Sequence, residues 1–294
     1  MTAPIAVITP SLAQGRFIER TLESVRGQGI AGLDHVVVDG GSTDETVAIL
    51  GRHQDHLRFV SEPDRGQADA VNKGLAMTAA PVIGWLNSDD IYYPGALAAV
   101  LEAFERHPGI DVMYGNADHI DGQGRVLEPY YTEAWDLGRL AEVCFLCQPA
   151  VFFRRRVVDR FGALDAGLQY CMDYEYWLRL GHGGARFLHL PQTLAGSRLY
   201  PETKTLGARV KVHTEINTML KRRLGRVPDR WLSNYAHVRL TERGLSPDHQ
   251  PRFLYGLIAG TLGASLRWNH GISGSLLRRL AGWLRGAVRR SLRG

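Results

Sequence analysis

Two adjacent carboxylates, Asp89 and Asp90, end an apolar run, Val82–Leu86, and precede an aromatic turn, Ile91-Tyr92-Tyr93-Pro94. Neighbouring carboxylates repel unless solvent, donors or a cation compensate them. Hard divalent ions favour such oxygens, and Mg²⁺ commonly binds through one or two carboxylates plus substrate phosphates. A solvated loop capping the helix that Pro94 opens is the plainer reading, and the pair alone does not choose. Asp39 follows a Val-rich run and precedes Gly40-Gly41-Ser42. It is either a turn residue or an acceptor for the base or ribose of a nucleotide. Asp173 lies in the aromatic, acidic segment Tyr170–Arg179. On a helix it shares a face with Trp177, and Glu175 shares one with Arg179. Asp173 is then either a helix-start dipole partner or a carboxylate beside aromatic surfaces, suited to act as a general base on a sugar hydroxyl. Glu175–Arg179 reads as an exposed ion pair.

The elements that must position these acids alternate. Ile5–Thr9, His35–Asp39, Arg58–Ser61 and Val82–Leu86 are short apolar runs bounded by turn residues, which read as buried strands. Helices are expected around Phe17–Val25, from a Ser42–Glu45 capping box to Leu50, over Gly66–Thr78, and from Pro94. Such a succession predicts a parallel, doubly wound α/β sheet whose ligands bind beyond the carboxyl ends of the strands. Ser11, Asp39, Glu62-Pro63-Asp64-Arg65 and Asp89-Asp90 fall there. From Val112 the pattern changes. A hairpin turns at Asp121-Gly122-Gln123-Gly124, and Val151–Arg154, Arg186–Leu190 and Thr193–Leu199 supply further strands around a helix at Asp173–Leu180. The reading for 1–205 is an α/β domain with a Rossmann-like half and a mixed half. A mostly helical extension follows over 206–294.

Composition narrows the class. The 294 residues are 45% hydrophobic and 22% charged, ordinary for a globular protein. No run has the roughly 18 apolar residues that a membrane span needs, and the N-terminus lacks a signal-peptide pattern. A cytoplasmic location is the expectation. Three cysteines are too few for a disulfide framework. Cys144 and Cys147 form a lone C-x-x-C among apolar neighbours, and packing is preferred to redox or zinc chemistry. The net charge of +5 hides an asymmetry: from Leu206 onward 17 Lys and Arg face 4 Asp and Glu, so residues 1–205 carry −8.

Taken together the segments resemble the inverting family-2 glycosyltransferases with the GT-A fold. Ile5–Ser11 is similar to that family's opening strand, and Val38-Asp39-Gly40-Gly41-Ser42-Thr43-Asp44 to its nucleotide element. Ser61–Gly74 resembles a long block of one subgroup, and Gln148–Phe153 an acceptor-side segment. Trp85-Leu86-Asn87-Ser88-Asp89-Asp90 stands where the family has its D-x-D-like metal motif, with Asn87 in place of the first acid. The resemblance covers about residues 3–205. It implies transfer of a sugar from a nucleotide-sugar donor (UDP-, GDP- or dTDP-linked) to a glycan or lipid-linked acceptor. It also implies Mg²⁺ or Mn²⁺ at Asp90 and Asp173 as catalytic base. Met172 replaces the acid before that base. Donor contacts are expected from Pro10, Ser11, Asp39, Arg65, Gln67, Asp69 and Asp89. Acceptor contacts are expected from Gln148 and Trp177. In the segment Arg198–Thr205, Tyr200 stands where relatives often carry His, and Arg198 or Lys204 is expected to meet the diphosphate.

The extension shares no motif with the front. Phe253–Leu266 is apolar but short. Over 273–293, Leu276, Leu277, Leu280, Trp283, Leu284, Ala287, Val288 and Leu292 fall on one half of a helical wheel and six arginines on the other. This fits a helix lying on an anionic membrane surface, which would put the protein on the inner face of the plasma membrane. The other reading is a helix packed on the domain with a solvated Arg face. No nucleic-acid partner is expected, because no base-reading fold or aromatic-basic platform appears. A nucleotidyltransferase would need a Gly-rich phosphate loop after the first strand, and Pro10-Ser11-Leu12-Ala13-Gln14 is not one. A non-catalytic sugar-binding descendant would have no reason to keep Asp39, Asp89, Asp90 and Asp173.

Overall fold

A computed structural model describes residues 3–203, 207–248 and 251–291, with side chains as far as Gly286. Lys204 lies outside the described residues. The chain divides into two compact units, Met1–Leu140 with Cys144–Pro201, and Ala141–Val143 with Glu202–Gly294.

In the first unit, nine described strands form one mixed sheet. The elements are β1 (Ala6–Ser11), α1 (Ile18–Arg26), β2 (Asp34–Asp39), α2 (Thr46–Arg52), β3 (Arg58–Ser61), α3 (Gln67–Met77), β4 (Val82–Trp85), β5 (Ile91–Tyr92), α4 (Ala96–Arg106), β6 (Val112–Ile120), β7 (Val126–Pro129), α5 (Leu137–Glu142), β8 (Val151–Arg154), α6 (Arg155–Phe161), α7 (Met172–His182) and β9 (Phe187–Arg198). The sheet order is β3-β2-β1-β4-β8-β6-β9-β5, with β7 on β6. Strands β3, β2, β1 and β4 run parallel, β8 is antiparallel to both β4 and β6, and β9 runs parallel to β6.

The parallel half follows from its sequence. Every residue of β1 and β4 is buried, as strands covered on both faces require, so they read as continuous apolar runs. Helix α1 turns Ile18, Leu22 and Val25 inward. Helix α3 approaches β1 so closely that a Cβ at Gly74 would overlap the Ile8 side chain. Glycine is what that contact permits. The carboxyl ends of the four parallel strands thus come together at Ser11, Asp39, Ser61 and Trp85.

Three local expectations are corrected. No capping box forms: α2 begins at Thr46 without a side-chain cap bond from Glu45. Ser42 Oγ is taken by the Ala13 amide and by Asp39 instead. Helix α4 begins at Ala96, after Gly95 at φ +79° rather than at Pro94. The segments 186–190 and 193–199 are one bulged strand, β9, whose register shifts opposite Gly115 to Ala117.

The second unit contains α8 (Arg209–Leu224), α9 (Asp229–Thr241), α10 (Arg252–Asn269) and α11 (Gly274–Ser291). Gly256 and Gly260 let α10 lie directly against Leu240 and Ala236 of α9. Asn269 closes the end of α10 by accepting from the Val227 amide (2.7 Å) and donating to its carbonyl (2.9 Å). Leu276 and Leu280, on the apolar side of α11, are buried. Part of that side is therefore covered. Among the described residues no helix is long and apolar enough to cross a membrane.

Candidate active site

The loop after β1 is strapped to the loop after β2. The Ala13, Gln14 and Gly15 amides donate to Ser42 Oγ (2.7 Å), Thr46 Oγ1 (2.9 Å) and Asp44 Oδ2 (3.0 Å). Asp39 organises this corner. Its Oδ2 accepts from the Gly41 and Ser42 amides (3.1 and 2.8 Å) and from Ser61 Oγ (2.7 Å), and its Oδ1 from Ser42 Oγ. Gly41 makes the turn at φ +84°, a conformation costly to residues with a Cβ. Asp39 has no exposed surface. Asp39 therefore shapes the loop after β2, with both its oxygens turned to that loop and to Ser61. Pro10 is buried within β1, whereas the buried Ser11 Oγ at its end has no hydrogen-bond partner.

The segment after β3 turns into α3 at Gly66, φ +114°, whose amide donates to Asp64 Oδ1 (2.7 Å). Asp69 in the first turn accepts from the Arg65 amide (3.2 Å) and guanidinium (2.7 Å). The Arg65 hydrogen bond holds the Asp69 carboxyl below its usual range. Arg65 itself is 79% exposed along its side chain, although paired with Asp69.

Beyond β4, Asn87 links three neighbours. Its Oδ1 accepts from Trp85 Nε1 (3.0 Å) and Gln67 Nε2 (2.6 Å), and its Nδ2 donates to Asp90 Oδ2 (3.2 Å). The other Asp90 oxygen accepts from the Arg198 amide at 2.8 Å. Asp90 is buried, and burial, with the adjacent Asp89 charge, pushes its carboxyl well above the usual range. Asp89 is only partly buried and accepts from Tyr200 OH at 2.8 Å. Burial and the Asp89 charge raise the Tyr200 hydroxyl in turn. Arg198, expected at a diphosphate, is buried with its guanidinium spent on the carbonyls of Asp89 (2.7 Å) and Asp121 (2.6 Å) and laid over the Phe17 ring. It braces three loops.

On the other side of the site, Gln148 donates to the Trp85 carbonyl (2.5 Å), while its buried Oε1 has no partner. Asp173 opens α7 and is partly buried. Cys147, beside Gln148, reports its position. Burial first, then the charges of Asp90 and of Asp173, raise the Cys147 thiol. Asp90 and Asp173, 83 residues apart in sequence, thus both lie within electrostatic reach of Cys147. The cysteines are free thiols.

Trp177, expected at the acceptor side, is fully buried against Phe153 and Tyr176. It is a core residue, because α7 turns that face into the domain. Glu175 is also fully buried, and its ion pair with Arg179 (3.1 Å) is internal, with the guanidinium continuing to the Ala163 carbonyl (2.8 Å). Sequence reasoning missed Cys147 as a neighbour of both acids. It passed over Gln14, whose amide reaches Tyr200 OH at 3.5 Å. Neither carries a local signal.

A family model for glycosyl transferase family 2 matches residues 6–162, more than half of the chain. The chain belongs to glycosyl transferase family 2. Among curated members, it is 25% identical over 207 residues to the chondroitin synthase of Escherichia coli, covering 69% of this chain but 30% of that protein. It is 32% identical over 180 residues to an uncharacterized glycosyltransferase of Mycobacterium tuberculosis, covering 60% and 68%. A PGL/p-HBAD biosynthesis glycosyltransferase of Mycobacterium bovis is 28% identical over 199 residues, covering 65% and 76%. This family-2 chain thus spans less than a third of the chondroitin synthase and about half, 54%, of a Nostoc glycosyltransferase that it also matches. In fold it resembles S. aureus TarS 1-349 in complex with UDP-GlcNAc (TM-score 0.63, 16% identity, 90% of this chain and 81% of that one). It also resembles the Pyrobaculum calidifontis mannosyltransferase PcManGT in complex with GDP-Man and Mn²⁺ (TM-score 0.60, 18% identity, 98% and 81%). The α/β unit is a GT-A fold, as expected.

Proposed function

We propose that this family-2 member is an inverting glycosyltransferase of polysaccharide or glycolipid assembly. It moves a sugar from a nucleoside-diphosphate sugar, UDP-, GDP- or dTDP-linked, to a hydroxyl of a glycan or lipid-linked acceptor. The observation that carries the reading is the family-2 match over residues 6–162, on a sheet whose parallel strands end side by side at Ser11, Asp39, Ser61 and Trp85, where such sheets bind ligands.

In this reading the Asp173 carboxylate takes the acceptor proton as the acceptor oxygen bonds to the anomeric carbon. The bond from that carbon to the phosphate oxygen breaks, and its electron pair leaves with the nucleoside diphosphate. One displacement inverts the centre. The exposed Arg65 meets the phosphates, and Gln148, held on the Trp85 carbonyl, is a positioning residue on the acceptor side. Gln67 acts through Asn87 and is a positioning residue.

Among the described residues no three His, Cys, Asp or Glu side chains cluster as a metal cage. The donor set nevertheless fits a hard ion held by one carboxylate and substrate phosphates. Burial first, and the adjacent Asp89 charge second, raise the Asp90 carboxyl, and a cation beside the pair would offset that cost. Asp90 is enclosed with both oxygens engaged, so we assign the contact with Mg²⁺ or Mn²⁺ to Asp89. An ion held there would supply positive charge against the leaving diphosphate.

Thermal melts with UDP-, GDP- and dTDP-sugars, in Mn²⁺ and in EDTA, test the reading. One nucleotide class should raise the Tm, since a ligand that binds the folded chain stabilises it in proportion to affinity. No shift with any of them would end the donor assignment.

A further inference from the structure

Helix α10 carries no charge from Phe253 to Leu266, yet only one of its sides is covered. Phe253, Thr261, Ala264 and Trp268 point inward and are buried. Its hydroxyls are satisfied locally, Thr261 on the Leu257 carbonyl (2.7 Å) and Ser265 on that of Gly271 (2.6 Å). The opposite side bears Tyr255, Ile258, Ala259, Leu262 and Leu266, which at 100° per residue fall within about one third of the wheel. Tyr255 is 61% exposed and Leu266 54%. A helix that is apolar all round is ordinarily buried all round. Beyond it, Ile272 and, on α11, Leu277 and Leu284 are exposed as well.

The charge around this stripe decides what covers it. Residues 249–294 contain eight arginines and no aspartate or glutamate. Arg278, Arg279 and Arg285 are exposed on α11. A second copy of the same surface would bring like charges together, which disfavours self-pairing. An anionic lipid surface matches both properties, taking the apolar stripe into the headgroup boundary and the guanidinium groups against its charge.

We propose that the outer face of α10, together with the arginines exposed on α11, is a docking surface for an anionic lipid bilayer. It lies on the bilayer and does not cross it. The site differs from the helix expected from sequence, because α11 has turned Leu276 and Leu280 inward and contributes mainly charge. This inference is independent of the transferase reading.

The test is flotation of the full chain with vesicles of phosphatidylcholine alone and of phosphatidylcholine mixed equally with phosphatidylglycerol, at roughly physiological salt. The chain should float with the mixed vesicles only. Tyr255→Glu with Leu266→Glu should lower the bound fraction at least about 10-fold. Arg278→Gln, Arg279→Gln and Arg285→Gln together should weaken partitioning on the order of 100-fold, at about tenfold or less per basic residue. All five substituted side chains are exposed, and unchanged melting temperatures and nucleotide shifts would show that both variants remain folded. Failure of the parent chain to float with mixed vesicles overturns the proposal. So does equal flotation with neutral vesicles, or a dimer that Tyr255→Glu with Leu266→Glu converts to monomer, since a second copy would then be the occupant.

Discussion

Asn87 donates through Nδ2 to the buried carboxylate of Asp90, 3.2 Å away, while its own oxygen accepts from Trp85 and Gln67. The related motif has an acid at this place. An acid could keep the two accepted bonds but could not donate to Asp90, and it would put three carboxylates side by side. Asn87→Asp is expected to cost about 1–3 kcal/mol at pH 8. Because its folded carboxyl is raised above the unfolded value, Asp90 favours folding when protonated and loses that favour as pH rises. The deficit should therefore shrink when urea melts are repeated at pH 5. Equal stability of both chains at pH 8 would refute the bracing role.

Asp173→Asn retains the shape of the head of α7 and removes the base. Transfer should fall at least about 100-fold, the lower range for general-base removal, while donor affinity stays within about twofold. Initial rates and donor titration measure the two separately. Near-normal turnover would sink the assignment.

Asp89 and Asp90 should separate on metal binding. With the best nucleotide present, Asp89→Asn should lose the extra melting shift that Mn²⁺ gives over EDTA. Asp90→Asn should retain part of that shift while losing stability. The reverse pattern would return the contact to Asp90.

His35 offers a prediction about pH. It sits in β2 with Nε2 3.0 Å from Thr9 Oγ1, and burial, reinforced by His56, lowers it from 6.5 to about 3. The unfolded chain then takes the proton first. Its contribution is present above about pH 6.5 and is lost as pH falls towards 3. Between pH 7 and pH 5 the loss is about 2 kcal/mol. Denaturant melts across that window should steepen accordingly, and His35→Gln should flatten the slope even if it lowers stability overall. An unchanged slope would mean that His35 does not control it.

Much of this arrangement was legible in the chain because strands announce their ends. Val36 to Val38 stop at Asp39, and Ile83 to Leu86 stop at Asn87 to Asp90, so the acids had to gather at one edge of a parallel sheet. What was not legible depends on direction. Asp173 and Trp177 share a helical face in register, but α7 packs so that Trp177 is enclosed while Asp173 keeps some exposure. Arg198 carries a phosphate-seeking charge in sequence, and only the proximity of two carbonyls and the Phe17 ring makes it a brace. Ser42 had the spacing of a cap, but Asp39 and the Ala13 amide claimed its hydroxyl first. Cys147 gave no sign at all, since the acids that act on it come from the loop after β4 and from α7.

The same brace sets a limit on Tyr200. Arg198 is fastened to two loops by its guanidinium and to Asp90 by its amide, whereas Tyr200 follows two residues later. Extended chain reaches about 3.5 Å per residue, so the Tyr200 backbone stays within about 7 Å of that of Arg198. A ligand that displaces it from Asp89 would move it aside without sending it away. That tether keeps Tyr200 near the Asp89 carboxylate and the Phe17 ring that it touches.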